Sequence, residues 1–109
     1  MFGNNIFNVP QVKAASIKTK MDDRSVIFLD VRTKEEFSRG GLPGSINIPV
    51  DEVVSKVEQV LPNKEVETYV YCLSGSRSTF AVMAMKKMGY QKVFEVESGL
   101  LAMRSEGLV

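Results

Sequence analysis

A chain of 109 residues, 44% hydrophobic and 25% charged, has the composition of a folded domain and excludes a disordered segment. Its 14 basic and 13 acidic residues leave a net charge of +1, which excludes an extended basic face for nucleic acid or anionic membrane. The longest apolar run, Phe80 to Met85, is far shorter than the roughly 18 to 20 residues a spanning helix needs, so no membrane partner is expected.

One domain over residues 1–109 is expected, large enough to bury about two thirds of the surface its unfolded chain exposes. Short β-branched or aromatic runs alternate with stretches of helical period, which predicts an α/β fold. "IFNV" (Ile6 to Val9) predicts a first strand, and Pro10 suits the first turn of a following helix with Val12, Ala15 and Ile17 facing inward. "SVIFLDV" (Ser25 to Val31) has no polar alternation from Val26 to Leu29 and predicts a central parallel strand covered on both faces. Thr33 is placed to cap a short helix, with Glu36 three residues later, before turns at Gly40, Gly41, Pro43 and Gly44.

"SINI" predicts a short strand stopped by Pro49. Val53, Val54, Val57, Val60 and Leu61 then fall at helical spacing, with Asp51 as a candidate cap and a solvated face at Lys56, Glu58 and Gln59. "VETYVYC" predicts a strand ending at the cysteine. A helix over Thr79 to Met88 would align Ala81, Ala84, Met85 and Met88 and end at Gly89. "KVFEV" (Lys92 to Val96) is the last expected strand and Ser98 to Glu106 the last helix.

The chemistry concentrates in "YCLSGSRS", Tyr71 to Ser78, which holds the single cysteine of the chain. Cys72 stands at the carboxyl end of a predicted strand, where open α/β sheets bind ligands. The next helix start offers unpaired N–H groups and a positive dipole end, and Gly75 can take the positive φ angles of a backbone curled around an anion. That field favours the thiolate over the thiol. Arg77 adds a cation with planar donors suited to an oxyanion, while Ser74, Ser76 and Ser78 can supply hydroxyl donors or cap the helix. A lone cysteine at a strand end is also commonly a small buried hydrophobe, and the residues of this loop alone leave both readings open.

No internal disulfide is possible, and the absence of histidine removes the commonest metal ligand and neutral-pH base. A structural zinc site is not expected, nor any cofactor. The first residues lack the features of a secretory signal, so a reducing cytoplasm is the expected setting.

Three stretches together resemble a known family, the single-domain rhodaneses, which are sulfurtransferases. "FLDVRTKEEFSRGGLPGSINIP" resembles the family's opening signature, "YCLSGSRS" its active-site loop, and "MGYQKVFEVESGLLAM" its closing segment. The resemblance implies a five-stranded parallel sheet with helices on both faces. It also implies that Cys72, as thiolate, takes the outer sulfur of a donor such as thiosulfate as a persulfide, and passes it to cyanide or another thiol. The amides from Leu73 to Ser78, through Ser74, Gly75, Ser76 and Arg77, would hold the anionic sulfur, and Arg77 would help bind an anionic donor.

A small sulfur donor with a thiol or cyanide acceptor is the expected pair of partners, and the resemblance also allows a protein persulfide donor or a thioredoxin-like acceptor. A carrier or docking module with little turnover on small molecules is the alternative. A phosphatase or arsenate reductase is a more distant one, because related phosphatases space cysteine and arginine one residue further apart.

Asp30, Arg32 and Glu36 are expected to serve the scaffold, and Met83, Met85, Met88 and Met103 to pack the core rather than bind a soft metal. Departures from the family pattern fall at Gly41, where a bracing side chain is usual and a looser loop is therefore expected, and at Ser98 and Met103, expected to alter the pocket wall. Leu73, apolar where thiosulfate-preferring members often carry a basic residue, weakens the case for thiosulfate as donor.

Overall fold

The computed structural model describes residues 9–109. Its strands are β1 (Gln11–Val12), β2 (Val26–Asp30), β3 (Ile46–Asn47), β4 (Glu67–Tyr71) and β5 (Val93–Val96). They form a five-stranded sheet in the order β1-β5-β4-β2-β3, with every neighbouring pair parallel. The helices are α1 (Lys34–Ser38), α2 (Val53–Val60), α3 (Ser76–Lys87) and α4 (Gly99–Ser105), with 3-10 segments at Ala14–Lys20 and Val50–Glu52. No helix among the described residues is long and apolar enough to cross a membrane.

Burial on both faces explains the unalternated apolar strands. Leu29 pairs with Val70 and Phe28 with Tyr69 across β2 and β4, and successive residues enter opposite cores. One core sets Leu29, Val70 and Val93 against Val53 and Val57 of α2 and Val82 and Met85 of α3. The other sets Phe28, Tyr69, Tyr71 and Val96 against Ile17, Leu100 and Met103. Met85 and Met103 therefore lie in different cores and share no site.

Several elements differ from expectation. The strand expected over Ile6 to Val9 falls, except for Val9, outside the described residues. Pro10 opens a strand rather than a helix: its carbonyl accepts from the Glu95 amide at 2.8 Å, and Val12 accepts from Glu97 at 2.8 Å. β1 is an edge strand, where a missing N–H is tolerated. The following 3-10 segment buries Ala14 and Ile17 and leaves Ala15 exposed.

In α2 the inward stripe is Val53, Val57 and Leu61, each four residues from the next, whereas Val54 and Val60 fall beside it and are exposed. Asp51 lies in the preceding 3-10 turn, and no side chain caps α2. Thr33 and Glu36 do form the expected capping box on α1, each side chain accepting from the other residue's amide.

Candidate active site

Cys72 follows directly on β4, and α3 begins at Ser76, three residues before the expected Thr79. Gly75 causes the early start. At φ 138° it turns the chain straight into the helix, a conformation that L side chains rarely adopt. Arg77 and Ser78 thus belong to the first helical turn rather than to a loop. None of the three serines caps α3, because Gly75 occupies that position without a side-chain bond.

The sulfur of Cys72 accepts a hydrogen bond from the Gly75 amide at 3.1 Å and lies 3.5 Å from the Ser78 hydroxyl oxygen. The residue is 1% exposed. Leu73 is half-buried against the second core, and Ser74 and Ser76 are exposed. The helix aims its positive end into this loop, adding to the Gly75 contact.

α4 fixes the other side of the loop. The amides of Leu100 and Leu101 donate to the carbonyls of Cys72 and Leu73 at 2.9 and 3.1 Å. This approach needs a glycine at 99, because a Cβ there would stand 2.4 Å from the Cys72 carbonyl oxygen. Ser98 precedes it at φ 60°, in the left-handed region. A pocket of about 390 Å³ opens beside the loop, bordered by Ser74, Gly75, Thr79, Glu95, Glu97 and Ser98. Ser98 borders this cavity, whose lining does not include Cys72, and Met103 is fully buried in the second core and lines no part of it.

Arg77 reaches across to α1. Its guanidinium meets both oxygens of Glu36, at 2.6 and 3.1 Å. The Arg77 donors and the Thr33 amide hold the Glu36 carboxyl down to about 2. Asp30 and Arg32 form a buried pair at 2.7 Å, and Arg32 also donates to the Gly40 carbonyl at 2.7 Å, joining the end of β2 to the turn after α1.

At Gly41, where a bracing side chain is missing, the space is taken by the Tyr71 hydroxyl, which accepts from the Leu42 amide at 3.0 Å and meets Ser45 at 2.9 Å. Burial pushes the Tyr71 hydroxyl up to about 12, so it stays neutral in this role.

Glu95 escaped the sequence reading. It is 1% exposed, in the middle of β5, and accepts from Ser78 at 2.5 Å, Thr79 at 2.7 Å and Gln11 at 2.9 Å. A carboxylate at an inward position of an apolar strand was the available signal, since a buried charge needs donors and must gather them from neighbouring elements.

A parallel five-stranded sheet with a cysteine between a strand end and a helix start defines an α/β domain that carries a thiol at the ligand-binding edge of its sheet. The family model described as the rhodanese-like domain matches residues 13–106, and the chain belongs to that family. A Bacillus subtilis (strain 168) protein named as a sulfur carrier, YrkF, is 37% identical over 97 residues, covering 88% of this chain and 51% of that protein. The tRNA uridine(34) hydroxylase of Enterobacter sp. (strain 638) is 30% identical over 94 residues, covering 83% of this chain and 27% of that one. The chain thus spans about half the length of the first of these curated relatives and about a quarter of the second. Among solved structures, a rhodanese-related protein of Thermoplasma volcanium matches with a TM-score of 0.80 at 29% identity, covering 92% of this chain and 95% of that one.

Proposed function

We propose that Cys72 carries a sulfane sulfur: as thiolate it attacks the outer sulfur of a donor, retains it as a persulfide, and yields it to a thiophilic acceptor. The observation that carries this reading is the Gly75 amide aimed at the Cys72 sulfur from the start of α3, a donor placed where negative charge develops. With thiosulfate the bond between its two sulfurs breaks, sulfite leaves with the electron pair, and the terminal sulfur of the new persulfide bears the charge. Sulfite is a good leaving group, so a chain without histidine needs no general acid for it. A reducing cytoplasm is the setting that suits a lone working thiol. Incubation with thiosulfate or another sulfane donor is expected to add the mass of one sulfur, cyanide to remove it, and Cys72→Ser to abolish both.

A second reading, a carrier loaded by a protein-bound persulfide, is favoured by the pairing of Arg77. The cation suited to an anionic donor is already engaged by Glu36, and the pocket beside the loop is bordered by Glu95 and Glu97. A thiosulfate dianion entering there meets two carboxylates, whereas a persulfide presented by a partner protein brings at most a single negative charge. Persulfidation of Cys72 by a cysteine desulfurase or a larger sulfurtransferase, under conditions where thiosulfate loads it negligibly, supports the carrier reading. Equal loading by thiosulfate overturns it.

A further inference from the structure

Glu95 is a buried ionisable group that sulfur transfer, as described, leaves unused. It stands one hydroxyl away from the reacting atom: Ser78 Oγ lies 3.5 Å from the Cys72 sulfur and 2.5 Å from Glu95 Oε2. All three residues are at most 1% exposed. An ionised carboxylate only accepts. The hydroxyls of Ser78 and Thr79 can donate to Glu95, each with the Gly75 carbonyl as a second acceptor at 3.1 and 2.8 Å, and the Ser78 oxygen accepts from the Cys72 thiol.

We propose that Ser78 and Glu95 relay the thiol proton off Cys72. The S–H bond breaks and its proton joins Ser78 Oγ as the Ser78 hydroxyl proton passes to Glu95 Oε2, leaving a thiolate, an intact serine hydroxyl and a neutral carboxylic acid. No charge enters or leaves the buried cluster, so the step avoids the cost of creating a second charge there. The relay also reverses the hydrogen-bond polarity. The Ser78 hydroxyl now donates to the thiolate beside the Gly75 amide, the Glu95 hydroxyl donates to Ser78, and the Thr79 hydroxyl can turn to the Gly75 carbonyl, 2.8 Å away.

Ser78, which touches the reacting sulfur, is a catalytic residue; Glu95, acting through it, is a positioning residue that stores the proton. The chain has no histidine for this task. Other charges around the relay are Arg77 of α3, paired with Glu36; Glu97 beyond β5, paired with Lys13 at 3.4 Å; and Asp30 of β2, paired with Arg32. Gln11 of β1 contributes only a neutral donor to Glu95.

The inference rests on Cys72 being the working thiol, and its test needs no sulfur donor. The rate of Cys72 alkylation by iodoacetamide is measured from acid to alkaline pH. The intact protein is expected to show two ionisations separated by a plateau, in which the pair holds one proton and a fixed share of it is thiolate. Glu95→Gln and Ser78→Ala are each expected to show one ionisation and to lose about 100-fold in rate on the acid side, the low end of what a positioned base contributes.

A single ionisation shared by the intact protein and both variants overturns the relay. If Glu95→Gln does not fold, Ser78→Ala, which leaves the carboxylate in place, decides alone. A two-step profile without any sulfur adduct on exposure to sulfane donors overturns the transfer reading but not the relay, and a sulfur adduct with unchanged profiles does the reverse.

Discussion

Arg77 and Glu36 form a two-pronged ion pair joining α3 to α1, with the guanidinium nitrogens 2.6 and 3.1 Å from the two carboxylate oxygens. Both side chains are about a third exposed or less, so solvent weakens the pair without dissolving it. The cation beside the cysteine loop is held in place and is also partly neutralised.

Glu36→Gln is therefore expected to speed loading of Cys72 from thiosulfate, roughly 3- to 10-fold, by releasing the guanidinium for the donor. Glutamine keeps the capping box on α1, so the comparison isolates the charge. Arg77→Ala is expected to slow loading from thiosulfate more than it slows alkylation by neutral iodoacetamide. Initial rates with both reagents check this, and equal losses in both mean that Arg77 does not bind the donor.

The same pair sets an acid-stability window. Glu36 titrates at about 2 in the folded protein against an ordinary 4.5, so its stabilisation is complete above about pH 4.5 and is lost as pH falls towards 2. Denaturant unfolding at pH 5 and pH 3 is expected to show a loss of about 1 kcal/mol from this group, after screening at a partly exposed site. In Glu36→Gln that part of the pH dependence disappears.

Strand order apart, most of the scaffold follows from patterns within single segments. The apolar run Val26 to Leu29 marks a strand buried on both faces, and Thr33 with Glu36 marks a helix start. Cys72 at a strand end is equally legible. What stayed hidden depends on contacts distant in sequence: Arg77 finding Glu36, Ser78 finding Glu95, and Gly99 packing on the Cys72 carbonyl. Pro10 misled because a proline suits both a helix start and an edge strand, and only pairing with β5 decides between them.

At the clamp between α4 and the loop, Gly99→Ala is expected to destabilise by about 2 kcal/mol or more, because its Cβ meets the Cys72 carbonyl oxygen at 2.4 Å and its φ is 51°. Ser98→Gly has the opposite sign. It relieves a left-handed serine at a cost in unfolded-chain entropy, for a net gain of about 0.5 kcal/mol. Thermal unfolding midpoints check both, a change of 1 kcal/mol corresponding to about 4 to 8 °C in a domain near this size.

Gly41 and Tyr71 compete for one space. A Cβ at 41 would lie 2.9 Å from the Tyr71 hydroxyl oxygen and 3.0 Å from Arg32 Nη2. Gly41→Ala is expected to cost about 1 to 2 kcal/mol in the native background and distinctly less in Tyr71→Phe. The double-mutant cycle, read by denaturant unfolding, checks it. Strict additivity means that Tyr71 does not occupy the site.

The central claim is that Cys72 carries sulfur. Intact-mass measurement of the protein after exposure to thiosulfate, a small-molecule persulfide and a persulfidated partner protein tests it most directly. The expected result is a gain of one sulfur with at least one donor, removed by cyanide and absent from Cys72→Ser. No gain with any of the three, or a gain that survives in Cys72→Ser, contradicts it.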